Sequence, residues 1–261
     1  AAPVLGRVLA DLENRLRGYC RPGAEHALPV LQECEPGLVS VIVRSMNRPE
    51  LKEALASIAD QDYENIEVIV VDAQGKNEMT GCTCGLFPVR HVSVARPLSR
   101  PEAANAGLRA VQGEFFCFLD EDDLWGPEHI SGLVESMQKV GNLVAYAGVR
   151  CIQKDRLSTD MELSEPFHRL RLMWSNYIPN NALLFHRRIL ECGCAFDEGL
   201  ECYEDWDFLL QAAQYTDFTL VHRTTAFYRA GGTSQVGLQD ADPDKVAAMK
   251  TRIYCKWRHM L

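Results

Sequence analysis

Along this chain the spacing of apolar positions changes several times, and each change marks an element. Residues 4 to 16 place Val4, Leu5, Val8, Leu9, Leu12 and Leu16 on one helical face, which predicts an amphipathic helix. Arg21 to Gly37 carries Pro and Gly and reads as a linker. "LVSVIV" is then a short β-branched run, typical of a strand covered on both faces. "RPELKEALASIADQ" returns to helical spacing through Leu51, Ala54, Leu55 and Ile58, with Pro49 near its first turn. "IEVIVVD" and "PVRHVSV" are the next strands, separated by a loop holding Gly75, Gly81 and Gly85. "PEAANAGLRAVQ" predicts a helix, "EFFCFL" a strand, Pro127 to Val140 a helix and "NLVAYAGV" a strand.

Strands that alternate with helices imply βαβ units with right-handed crossovers. The predicted class is α/β: a Rossmann-like, mainly parallel sheet flanked by helices, with helical extensions at both ends. In such sheets ligands bind at the carboxyl ends of the strands. Two strands end in acid there, at Asp72 and at Asp120. The second half is less regular. "NNALLFHRRIL" reads as a strand into a short helix, and "EDWDFLLQAAQY" as a helix with Trp206, Leu209, Leu210 and Ala213 on its apolar face. "DFTLVH" and "TTAFYR" predict strands, and a last helix follows Asp242 as N-cap and Pro243 at its first position. The expected organisation is an N-terminal helix and linker over 1–37, the α/β domain over 38–235, and a C-terminal amphipathic helix over 236–261.

The net charge of −9 excludes a nucleic-acid surface, which needs clustered Lys and Arg. The ten cysteines are scattered, and a chain of 261 residues needs no disulfide framework, so reduced thiols in a cytoplasmic protein are expected. The CxC pairs Cys82/Cys84 and Cys192/Cys194 signal zinc only weakly. No apolar run approaches the roughly 18 residues of a membrane span. The last helix sets Lys245, Lys250, Arg252, Lys256 and Arg258 opposite Val246, Met249, Ile253 and Trp257, a pattern that can lie on the inner face of a membrane but more often packs on its own domain. The chain starts without Met, as a piece of a longer chain would.

"FLDEDDLWGP" carries the chemistry. Asp120, Glu121, Asp122 and Asp123 follow an apolar run and repel one another. A hard divalent cation, Mg²⁺ or Mn²⁺, would cancel that repulsion, and its oxygen-rich shell also accepts phosphate. Acids before a helix are otherwise favoured by its dipole, but placement at a strand end favours the metal.

Together, "VSVIVRSMNRPELKEALASIADQDYENIEVIVVD", "RPEAANAGLRAVQGEFFCFLDEDDLWGP" and "ECYEDWDFLLQAA" resemble the successive motifs of family 2 inverting glycosyltransferases of the GT-A fold. The resemblance runs from about Leu38 to about Ser234, in the family's order. It implies that the loop from Arg44 to Arg48, with Ser45, Asn47 and Arg48, contacts a nucleotide base, and that Asp72 helps hold it. Arg100 and Asn105 would lie near the nucleotide. Asp120 and Asp122 match the DxD pair, the first on the ribose side and the second on the metal, with Asp123 beside them. Asp205 would be the general base and Glu204 its neighbour. "WSNYIPNNA" falls where acceptor-side residues lie, so Asn180 and Asn181, with Trp125 and Trp206, are the expected acceptor contacts. Trp174 and Tyr203 could also stack on sugar rings.

The resemblance thus implies a metal-dependent inverting transfer of a sugar from a nucleotide-diphosphate donor, a UDP-sugar by default, to a hydroxyl on a glycan or glycoconjugate. Departures bear on the donor. Arg44-Ser45-Met46-Asn47 stands where Pro-Thr-Tyr-Asn is usual, and Ala73 where a second acid is frequent. Gly231 and Gly232 stand near a position where relatives carry a His, and His222 is the other histidine nearby. A nucleotidyltransferase lacks a glycine-rich phosphate loop here. The alternative is a non-catalytic nucleotide- or glycan-binding module of a larger glycan-assembly protein.

Overall fold

A computed structural model describes residues 34–76, 82–153, 161–230 and 243–258. The expected helix over 4–16, Gly81, Gly231, Gly232 and Asp242 lie outside the described residues. One mixed sheet organises the rest, in the order β3-β2-β1-β4-β8-β6-β9-β5 with β7 paired to β6. Its first half comprises β1 (Glu35–Ser45), β2 (Ile66–Asp72), β3 (Val89–Ser93) and β4 (Gly113–Asp120). These four pair in parallel. β2 is buried along its whole length, as a strand sandwiched by helices must be.

Helix α1 (Leu51–Ala59) buries Leu51, Ala54, Leu55 and Ile58, the face the spacing predicts. Helix α2 (Arg100–Ala110) starts at a capping box in which Ser99 and Glu102 satisfy each other's backbone N–H groups. Its small residues bring it close to the sheet: a Cβ on Gly107 would lie 2.4 Å from Cγ2 of Ile42. Helix α3 (His129–Val140) ends at Gly141, whose φ of 80° is the left-handed geometry of a helix stop.

Beyond β4 the sheet becomes mixed. β8 (Leu183–His186) is antiparallel to both β4 and β6 (Val144–Gln153), and β7 (Glu162–Leu163) caps the latter. The two strands expected over 217–229 form one, β9 (Phe218–Ala230), parallel to β6 with register shifts around Gly148. β5 (Leu124–Trp125), unforeseen because it is so short, pairs with β9. The acidic turn between β4 and β5 therefore spans from the centre of the sheet to its far edge. Helix α4 (Arg169–Trp174), also unforeseen, precedes a 3₁₀ turn at Asn180–Ala182. A short α5 (Arg188–Glu191) follows β8, and α6 (Glu204–Ala212) carries the second acidic motif.

The last helix, α7 (Pro243–Trp257), turns its cations inward. Lys256 and Trp257 donate at 2.8 Å to the fully buried carboxylate of Asp207, which also accepts from Gln211. Arg252 bonds the carbonyl of Gly199, Lys245 meets Glu201 and Lys250 covers the Tyr203 ring. The cations of this face thus bond largely to their own domain, the more usual of the two readings of its pattern. Among the described residues no helix is long and apolar enough to cross a membrane. Asp207→Ala leaves Lys256 and the Trp257 indole without their acceptor, so it should cost about 3–5 kcal/mol in chemical denaturation; a loss under 1 kcal/mol would show that α7 is held by its apolar side alone.

Candidate active site

Register places the chemistry. Arg44 lies opposite Asp120 across β1 and β4, and Ser45 opposite Asp72 across β1 and β2, so the carboxyl ends of three strands form one rim. Above it opens a cavity of about 590 Å³. The acidic turn lines one side, and the N-terminus of α6 another, with Glu204 and Asp205 in its first turn where the helix dipole favours anions. Tyr203 leads into that helix at φ 62°, an uncommon conformation for a bulky residue.

Six carboxylates, from Asp120 to Asp123 and at Glu204 and Asp205, share the cavity wall with three arginines, Arg44, Arg48 and Arg100. Arg44 grips Asp120 with two bonds of 2.8 and 2.9 Å and reaches Glu204 at 3.3 Å. Arg100 meets Glu204 at 3.1 Å and Asp120 at 3.7 Å. Burial pushes the Asp120 carboxyl up, but Arg44 and Arg100 outweigh it and hold it below its ordinary value. Asp123 goes the other way: burial, then the charges of Asp120 and Asp122, push its carboxyl well above the usual range. Burial and the neighbouring Glu204 raise Asp205 to about 6. Asp205 accepts from the Trp206 backbone N–H at 2.8 Å and from Asn176 Nδ2 at 2.9 Å.

This charge balance decides how well a metal fits. Three arginines against six carboxylates leave a surplus of negative charge on the wall. A cation entering with an anionic diphosphate would offset that surplus. Among the described residues no three His, Cys, Asp or Glu side chains converge as a complete ligand set. A hard divalent ion would find one or two carboxylates here and would need phosphate and water to complete its shell.

Of the residues expected from the sequence, Ser45, Arg48 and Arg100 line the cavity with the acids, as do Asn180 and Asn181. Others do not. Asn105 is buried and clasps Phe196 through both its amide groups, holding α2 to the chain before α6. Asp72 is buried and accepts from the N–H groups of Gln74 and Gly75 and from Ser93, shaping the turn after β2. Asn47 stands at φ 57° outside the cavity wall. Trp125 and Trp206 are corrections: both are buried, and their indole N–H groups donate to Asn181 and Leu172 carbonyls, so neither can stack on a sugar. His222 lies in a separate shallow groove beside Phe167 and Phe218. Asn176 lies within the stretch expected on the acceptor side but is not singled out there, and no local spacing signals the tie of Arg44 to Asp120.

Sequence reading missed the work of Glu121, the residue inside the DxD pair. Its buried carboxylate accepts from Ser45 Oγ at 2.6 Å, Met46 N at 3.0 Å and Arg48 N at 3.2 Å, with Arg48 Nε at 3.4 Å. One side chain thus fastens the loop after β1 to the acidic turn. Gln74 adds a bond from its amide to the Met46 carbonyl at 2.6 Å. Glu121→Gln keeps the shape but turns an amide N–H toward these donors. It should lower the denaturant midpoint by the equivalent of about 1–3 kcal/mol, and an unchanged midpoint would mean the loop holds without it.

The family model described as Glycosyl transferase family 2 matches residues 40–196. A glycosyltransferase of Haemophilus influenzae with no assigned role is 27% identical over 199 residues, covering 70% of this chain and 64% of that protein. The putative colanic acid biosynthesis glycosyl transferase WcaA of Escherichia coli is 27% identical over 199 residues, covering 72% and 71%. TarS of S. aureus, solved with UDP-GlcNAc, superposes with a TM-score of 0.69 at 16% identity over 84% of this chain and 66% of the TarS fragment. The chain thus spans about two thirds of the length of these proteins, and the GT-A architecture accounts for its sheet. With the matched region covering β1 through β8 and the acidic turn, the chain belongs to glycosyl transferase family 2.

Proposed function

We propose that this chain is an inverting, metal-dependent glycosyltransferase that moves a sugar from a UDP-sugar to a hydroxyl of a glycan or glycoconjugate in polysaccharide assembly. The observation that carries it is Asp205, a carboxylate whose proton affinity is raised toward neutrality, facing the same cavity as the strand-end acids. Such a group can take the proton of an attacking hydroxyl near neutral pH. Glu204 is bound by Arg44 and Arg100, which supports a single base and direct displacement without a covalent intermediate. The domain doing this work is 38–235, with α7 closing the cavity through Val246.

Asp122, with Asp120 or Asp123, would hold Mn²⁺ or Mg²⁺, which would neutralise the departing diphosphate. Arg100 lines the cavity and is positioned to receive phosphate oxygens, while Arg48 and Ser45, held by Glu121, face the nucleotide side. Uridine is favoured because TarS was solved with UDP and with UDP-GlcNAc. A polysaccharide context is favoured by WcaA and by the succinoglycan biosynthesis protein ExoO of Rhizobium meliloti, 26% identical over 68% of this chain and 56% of that protein. The thiols of Cys82, Cys84, Cys192 and Cys194 suit a reducing, cytoplasmic site of action. A non-catalytic module would have no use for a carboxylate tuned in this way.

Thermal unfolding with UDP, GDP, dTDP, CMP or ADP, with and without Mn²⁺, tests the donor. At a hundredfold over its dissociation constant, one nucleotide should raise the midpoint by roughly 5–10 °C and require the metal. Asp122→Ala should remove the metal-dependent part; a full shift in that variant would refute the metal assignment, and no shift from any nucleotide would favour a non-catalytic module. Asp205→Asn should slow transfer roughly 10²- to 10⁴-fold. Because the Asp205 carboxyl is raised to about 6, the base is ionised above that pH and protonated below it. The transfer rate should therefore climb as pH rises through about 6 and level off above it. A rate independent of pH between 5 and 7 would place the base elsewhere.

A further inference from the structure

Two side chains beside Asp205, Asn176 and Tyr203, each carry an unmet interaction, and an exposed tryptophan lies two residues before the first. Asn176 gives its Nδ2 to Asp205, but its Oδ1 is shut off from water with no hydrogen-bond partner. The Tyr203 hydroxyl is likewise shielded and without a partner, on a residue whose backbone is held at φ 62°. Both residues line the cavity. A buried polar atom left unpaired is costly, and strained backbone collects where a ligand is handled. The third side chain is Trp174, at 66% exposure, while the chain's three other tryptophans are buried. Its place is fixed: Tyr254 donates from its hydroxyl to the Trp174 carbonyl at 2.8 Å, and the two rings lie 6.5 Å apart. Leu170, one helical turn earlier, is also exposed and extends the apolar surface.

Ser175 is extended, at φ −159° and ψ 146°, so Trp174 and Asn176 stand roughly 7 Å apart along the chain. That separation suits neighbouring rings of one glycan. We infer that the acceptor is the end of an oligosaccharide with at least two pyranose rings. Its terminal ring is held by Asn176 and Tyr203 beside Asp205, and the next ring lies on Trp174. This rests on the glycosyltransferase reading of the cavity and deepens it. Hydroxyls of the terminal sugar donate to the Asn176 Oδ1 and accept from the Tyr203 hydroxyl, which satisfies both atoms. The two side chains must turn slightly to admit it, an adjustment that the right substrate induces. The C–H face of the following pyranose is apolar and meets the negative face of the indole. Asn176 is then both a positioning residue for Asp205 and a contact of the acceptor.

Trp174 is its own reporter. Acrylamide quenching of tryptophan fluorescence is measured on the full chain with UDP and Mn²⁺ present, while glucose, N-acetylglucosamine, maltotriose, cellotriose and chitotriose are titrated in turn. At least one trisaccharide should protect Trp174, and its monosaccharide at equal concentration should not. Asn176→Ala and Tyr203→Phe, which leave Trp174 in place, should each weaken that trisaccharide roughly tenfold, as loss of one buried hydrogen bond does. In calorimetry Trp174→Ala should lose the binding and Trp174→Phe should retain part of it. Trp174 already shielded without sugar, no protection by any trisaccharide, or equal protection by monosaccharide would each overturn the inference. The nucleotide shift of the unaltered chain separates the two readings. If that shift is absent the glycosyltransferase reading falls; if it is present without sugar protection, only the acceptor assignment falls.

Discussion

Six carboxylates and three arginines meet at the carboxyl ends of three parallel strands, and the arrangement of the surrounding structure follows from keeping that charge in place. Acids this close repel one another, and burial makes repulsion worse. Arg44 offsets part of it by bridging Asp120 to Glu204, residues 84 positions apart on different elements. In doing so it ties the donor-side turn to the start of the helix that carries Asp205. Burial first, and then the neighbouring carboxylates, raise the proton affinities of Asp123 and Asp205.

The same acids divide their labour by burial. Glu121 points into the protein and accepts four donors from the loop after β1, so it acts as a clamp. Asp120 is held by Arg44, and Asp122, the less exposed of these two acids, meets Arg48 at 3.7 Å. A run that reads as four equivalent carboxylates therefore becomes a tie, an ion pair, an acid of the cavity wall and a buried acid. The run closes a tight turn, in which the Asp123 N–H donates to the Asp120 carbonyl at 3.0 Å, and β5 directly after it pairs with β9.

The far wall of the cavity depends on α7. Its Lys256 and Trp257 converge on Asp207, one turn below the start of α6, and Val246 reaches the cavity itself. The helix that could have been a surface appendage is part of the site's support, and its apolar anchors Ile253 and Trp257 belong to the common core.

Local pattern determined a good deal unaided. Apolar period placed β1, β2 and β4 and the buried faces of α1 and α6, because side-chain direction repeats every two residues in a strand and every 3.6 in a helix. Caps at Ser99 and Gly141 follow from equally local chemistry. The order and spacing of the acidic motifs carried the family. Tertiary structure alone decided which of those residues face the cavity: Asn105, Asp72, Trp125 and Trp206 turned inward to satisfy buried partners, while Asn176 and Tyr203 came to rest beside Asp205. The physical reason is range. Periodicity reports the face a residue occupies on its own element, but whether an amide or indole is spent internally depends on a partner that can lie 30 to 160 positions away, and no spacing along the chain encodes that pairing.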